Sequence, residues 1–258
     1  MDLGLEARKA IVCASSRGLG KACATALAAA GCAVTINGRD GARLAETAAA
    51  IRAATGAEVL AVPGDLDDPA VRDALFAACP EPDILVNNNG GPPPTAFADL
   101  TREMILAGLE ANMLTPSALI PRAVPGMAAR RFGRIVNITS ASVRAPLAGL
   151  DVSSGARAGL TAFVAASARA CAKHNVTINS IQPGAFDTDR IRVTLAKAAA
   201  SGEDAAALRA RREAAIPAGR FGRPEEFGAL CAFLASASAG YLTGQNILID
   251  GGAFPGAF

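Results

Sequence analysis

Residues 151–160 read DVSSGARAGL, and their reactive groups are Asp151, the hydroxyls of Ser153 and Ser154, and the guanidinium of Arg157. Serine hydroxyls are weak acids and arginine stays protonated, so this set can hydrogen-bond an oxygen and stabilise negative charge but holds no ready proton donor at neutral pH. Asp151 is the one exception: a carboxyl sheltered by apolar neighbours can donate a proton, although an aspartate just ahead of a helix also serves as an N-cap. A second set lies at CASSRGLG, 13–20, where Ser16, Arg17, Gly18, Leu19 and Gly20 sit between an apolar run and an alanine-rich helix. Glycines at such a turn let backbone amides and the positive helix end approach a pyrophosphate.

The next strand ends at Asn37 and Gly38, followed by Arg39. A carboxylate is the usual acceptor for a free ribose hydroxyl at that strand end; glycine stands there instead, and Arg39 with Arg17 suits a 2′-phosphate. The expected cofactor is therefore NADP in preference to NAD.

The elements that position these groups follow from patterning. Short β-branched runs (AIVC, AVTIN, VLAVPGD, DILVNN, RIVNITS, VTINSIQ, NILID) alternate with longer alanine-rich stretches. That alternation predicts an α/β fold, a Rossmann-like doubly wound parallel sheet flanked by helices, as one dinucleotide-binding domain over 1–258. GGPPPTAF at 90–97 resists helix formation because its prolines lack amide donors. Two helical segments in 189–217, broken by SGED at 201–204, form a candidate substrate lid.

Composition excludes other classes. With 25 Lys and Arg against 23 Asp and Glu, the chain lacks the basic excess of a nucleic-acid binder. Six scattered cysteines and one histidine give no metal-ligand spacing and no disulfide framework. No secretory signal and no membrane-spanning run are present, so a soluble cytoplasmic protein is expected, acting on a small molecule with no metal, nucleic acid or membrane as partner.

With these motifs and with GDL at 64–66, NNNG at 87–90, RIVNITS, NSIQPGAFDT at 179–188 and YLTGQNILIDGG at 241–252, the chain resembles the short-chain dehydrogenases/reductases over nearly its whole length. The resemblance implies that Gly18 and Gly20 form the pyrophosphate turn, with Ala14 where the family has a first glycine. It puts Asp65 and Leu66 against the adenine and Asn87 beneath the cofactor. Pro183, Gly184 and Thr188 would flank the nicotinamide. It also implies a homotetramer built on helices around 100–125 and 153–172.

The family's active centre combines a serine, a Y-x-x-x-K pair and an asparagine. Ser140 and Asn112 match, but the tyrosine position falls on Ser153 and the lysine position on Arg157. Losing a general acid lowers rate by ~10²–10⁴-fold. Ser140 and Arg157 would then hold the substrate oxygen, with the proton coming from a water at Asn112 or from Asp151, while Arg157 also binds ribose. The expectation is an atypical NADP(H)-dependent oxidoreductase on a small carbonyl or alcohol. A non-redox lyase or isomerase, or a catalytically silent NADP(H)-binding protein, are the alternatives.

Overall fold

Strands that are apolar on both sides need cover on both faces, and the alternation of β1 (Lys9–Val12) shows how this chain meets that need. Ala10 and Val12 join one buried cluster, and Ile11 and the following Cys13 join the other. In this computed structural model, which describes residues 2–256 apart from the side chain of Arg190, the other strands are β2 (Ala33–Gly38), β3 (Val59–Pro63), β4 (Ile84–Asn87), β5 (Gly133–Ile138), β6 (Val176–Pro183) and β7 (Asn246–Ile249). They form one 7-stranded sheet in the order β3-β2-β1-β4-β5-β6-β7, every pairing parallel.

The first cluster packs under α1 (Gly18–Ala29), α2 (Gly41–Thr55) and α9 (Pro224–Ala235). The second packs under α3 (Pro69–Ala78), α5 (Thr115–Ala129) and α6 (Asp151–Cys171). The chain order reverses between β1 and β4, which opens a crevice at the carboxyl ends of the strands. α4 (Arg102–Leu109) runs into a π-helical turn at Glu110–Leu114 before α5 begins, and α7 (Asp189–Ala200) and α8 (Ala205–Ala214) lie between β6 and α9, parted at 201–204.

Alanine and glycine allow the helices to approach closely. A Cβ on Gly228 of α9 would come within 2.5 Å of the Ala22 carbonyl of α1. All six cysteines are free thiols, and burial pushes Cys13 and Cys32 up to about 12, so they serve as small core residues. Among the described residues no helix is long and apolar enough to cross a membrane, and no group of His, Cys, Asp and Glu is arranged to hold a metal.

The start of α9 is fixed by Glu226. It accepts from both Arg220 terminal nitrogens at 2.9 and 2.7 Å and from the Arg223 amide at 2.8 Å, and these bonds hold its carboxyl down at about 2. A carboxyl lowered by folding contributes stability above its ordinary range and loses it as pH falls through the folded value. The difference in thermal midpoint between the native protein and Glu226→Gln should therefore be full near neutrality. It should shrink as pH falls from about 4.5 toward about 2, as followed by circular dichroism melts.

Candidate active site

The β1–α1 turn is built around close approach. Ala14 takes a left-handed backbone, φ 43°, and its carbonyl accepts from Asn88 Nδ2 at 3.0 Å. A Cβ on Gly20 would sit 2.5 Å from that same carbonyl. Arg17 is extended at the N-cap and no side chain caps α1, so the first amides of the helix stay available to an anion. Gly18, φ 58°, faces Thr188, whose Cγ2 would lie 3.8 Å from a Cβ there; Thr188 precedes α7 and likewise leaves that helix without a side-chain cap. The glycine turn and the segment after β6 thus meet across the carboxyl edge of the sheet.

Gly38 packs on Ser16: a Cβ would meet Ser16 Oγ at 2.9 Å, which explains why no carboxylate-bearing side chain stands there. Arg17 is exposed. Arg39 is 75% exposed and touches Asp65 only at 3.8 Å, a contact worth ~0–1 kcal/mol and easily exchanged for a stronger anion. Leu66 turns its side chain into the core. Pro183 ends β6, and Gly184 lies against Asp250, where a Cβ would meet the Asp250 Cβ at 2.7 Å. These residues fit a phosphorylated dinucleotide, with free amides for the pyrophosphate and two arginines near the ribose end.

The second set converges at the ends of β4 and β5. Arg157 is buried on α6; its Nη1 donates to the Ile138 carbonyl at 2.7 Å, Nη2 to the Asn89 carbonyl at 3.4 Å, and Nε to Ser153 Oγ at 3.2 Å. The four-residue spacing sets Ser153 and Arg157 on one helix face. Asn112 lies in the π-helical turn and donates to the Gly90 carbonyl at 3.0 Å. Its Oδ1, like Oδ1 of Asn87, is buried without a protein partner. Asn87, Asn112 and Arg157 line a cavity of about 10 Å³, the size of one water. Asn87 Nδ2 donates to Asn137 Oδ1 at 2.9 Å, below the crevice.

Ser140 follows β5. Its Oγ accepts from the Ser142 amide at 3.1 Å and lies 2.8 Å from Ser142 Oγ, so its own proton can turn to a ligand. Asp151 is exposed in the first turn of α6, where it complements the positive helix end; no apolar shelter surrounds it. A larger cavity, about 140 Å³, adjoins the other side of Ser153 and is walled by Pro92, Pro93 and Met104 among others.

Other neighbours are not legible from motifs. Ser142, Asn88 and Asp67 all brace the site, Asp67 Oδ1 accepting from Asn89 at 3.1 Å and from Thr115 Oγ1 at 2.8 Å. Only Ser142 carries a local signal, its spacing of two from Ser140. Arg144 is tied to Gln182 at 2.8 Å and to the Asn246 carbonyl at 3.0 Å, bridging β6 and β7. Tyr241, the sole tyrosine, is wholly exposed.

Sheet order and the glycine turn at the first strand–helix junction define a Rossmann-like α/β protein. The chain belongs to the short-chain dehydrogenase/reductase family, and residues 13–253 match a family of that kind described as enoyl-(acyl carrier protein) reductase. It is 31% identical to 3-oxoacyl-[acyl-carrier-protein] reductase FabG of Aquifex aeolicus over 98% of this chain and 100% of that one. It is 33% identical to NADPH-dependent reductase BacG of Bacillus subtilis over 95% and 97%. The crystal structure of L-sorbose reductase from Gluconobacter frateurii, complexed with NADPH and L-sorbose, superposes with a TM-score of 0.93 at 29% identity, covering 99% of this chain and 100% of that one.

The closeness of Gly20 to the Ala14 carbonyl gives a direct check. Gly20→Ala should destabilise the protein by ~1–3 kcal/mol in urea unfolding, because backbone has to shift on one side or the other.

Proposed function

We propose that this protein is an NADP(H)-dependent oxidoreductase acting on a small carbonyl or alcohol through a non-standard centre, in which Ser153 and Arg157 stand where the family has tyrosine and lysine. The observation that carries the reading is the hydrogen bond from Arg157 Nε to Ser153 Oγ. With its oxygen accepting from a cation, the serine directs its O–H outward, as a polarised donor to a substrate oxygen. Ser140 is the second donor. When bound, NADPH supplies the hydride to the carbonyl carbon, and the carbonyl oxygen then needs a proton.

Ser153 and Ser140 hold that oxygen, Arg157 stabilises charge as it develops, and a water that spends one hydrogen on Asn112 Oδ1 gives its other proton to that oxygen, the hydroxide so formed being reprotonated from solvent. Asp151, exposed at the helix start, is left to the helix dipole. Gly18, Leu19 and Gly20 offer amides to the pyrophosphate, while Ser16, Arg17 and Arg39 take the 2′-phosphate. Asp65 and the backbone at Leu66 border the adenine, and Pro183, Gly184 and Thr188 border the nicotinamide. α7 and α8 act as the substrate lid, hinged on Thr188 and held by Arg209, which donates to Asp187 at 2.8 Å. Met104, Ile105 and Leu106 of α4, Leu114 at the end of the π-helical turn, and Phe163 of α6 are exposed apolar residues on the segments expected to join copies, which supports a homo-oligomer.

NADPH and NADH titrations beside a turnover assay on a carbonyl panel test the reading. NADPH should bind tighter, and Arg39→Ala should weaken NADPH by about tenfold, one charge-assisted contact, while leaving NADH unchanged. Saturable NADPH binding with no turnover would instead make the protein a silent nucleotide binder. The double exchange Ser153→Tyr with Arg157→Lys should raise reductase activity by ~10²-fold or more, because it restores a general acid.

A further inference from the structure

The cavity of about 140 Å³ beside Ser153 lies between the proline loop that follows β4, α4 and the first turn of α6. Pro92, Pro93, Leu100, Met104, Ala107 and Val152 form its walls, and no charged side chain is among its lining residues. Its only side-chain polar groups are Ser153 and Thr95, and Thr95 already donates to the Pro93 carbonyl at 3.3 Å. Ser153, whose hydroxyl accepts from Arg157 Nε, therefore borders a cavity whose other side chains, Thr95 apart, are hydrocarbon.

The walls are also fixed. Consecutive prolines at 92–94 lock φ, and the Thr95 amide donates to the Gly149 carbonyl at 3.1 Å, joining the proline loop to the segment before α6. A Cβ on Gly108 would lie 2.1 Å from Val152 Cγ1, so α4 is seated on α6 with no slack between them. A preformed apolar cavity of ~150 Å³ is the size that takes one benzene ring, and close-packed walls do not stretch to admit two.

We propose that this cavity is the specificity pocket for one arm of the substrate, and that the arm is a compact, uncharged, apolar group of about phenyl size attached directly to the carbonyl or carbinol carbon that Ser153 holds. The proposal rests on the oxidoreductase reading for the carbonyl but not for the pocket itself. An apolar pocket gains with each buried methylene until it is full and then rejects what does not fit, and it rejects a charge by leaving it without a partner. Aryl and branched-alkyl ketones are the substrates of choice, and carboxylated or polyhydroxylated ones are refused.

The test has a binding arm and a turnover arm. Calorimetric titration of the purified protein with acetophenone, acetone, 4-carboxyacetophenone and 2-acetonaphthone reads the pocket without any reaction. Acetophenone should bind at least about tenfold tighter than acetone and than either of the other two. Ala107→Phe, which fills the cavity, should remove that preference. Met104→Ala, which enlarges it, should move the optimum to 2-acetonaphthone, so that a misfolded filling variant does not decide the matter. With NADPH present, kcat/KM should follow the same order. Binding in this order with no turnover sinks the oxidoreductase reading and keeps the pocket; turnover indifferent to the size and charge of the arm, or absence of acetophenone binding, overturns the pocket.

Discussion

A buried guanidinium at Arg157 is the constraint around which the centre is arranged. Taking a cation out of water costs several kcal/mol unless its donors are met, and Arg157 meets them with the carbonyl that ends β5, a carbonyl just past β4, and the hydroxyl of Ser153. Each of those groups is thereby held in place by the cost of losing it. β4, β5 and α6 are drawn to one point, and the segment between Asn87 and Gly90 is pinned over the crevice. The π-helical turn that carries Asn112 is fixed to the same segment through the Gly90 carbonyl, so helix, strand ends and loop share a single rigid frame.

Small residues do for the β1–α1 turn what Arg157 does for the ends of β4 and β5. Gly18, Gly20 and Gly38 are separated in sequence, yet each marks a place where something must come close: Thr188, the Ala14 carbonyl and Ser16 respectively. Ala14 shows the limit of the rule. It adopts a left-handed backbone that glycine would take without strain, and the Asn88 amide holds its carbonyl there. Beside Gly38 the space belongs to Ser16, so a side chain there would meet its Cβ and Oγ.

The fold was legible because its signal is repeated. Each of the runs from AIVC to NILID is a strand in one parallel sheet, and the break at SGED is the gap between α7 and α8. The glycine turn was legible for its local pattern. What pairing alone could not give is which side a residue faces and what reaches it from far along the chain. Leu66 turns its side chain into the core, so only its backbone is left to face a ligand, and Arg144 bridges Gln182 and Asn246 from far along the chain. Asp67 gathers Asn89 and Thr115 from other elements, and no spacing in the sequence announces it. The Ser153–Arg157 bond follows from helical spacing, whereas the apolar cavity behind it depends on three proline-rich and helical segments meeting.

If Ser153 and Arg157 stand where the family has tyrosine and lysine, as we propose, the two make sense as a pair. Tyrosine with lysine gives a long, acidic reach beside a point charge, and serine alone would have neither reach nor acidity. Arginine extends the fork: one nitrogen engages the short hydroxyl while two others hold backbone carbonyls, a division that a lysine ammonium on a flexible stem does not make with the same rigidity. Hydrocarbon space lies open beside Ser153 at the start of α6, bounded by Val152 and the proline loop. Within the proposed reading, weaker acid chemistry and a more enclosed apolar arm site have one origin. A substrate bound deeply and held in orientation needs less from its proton donor, because positioning supplies part of what acidity no longer does.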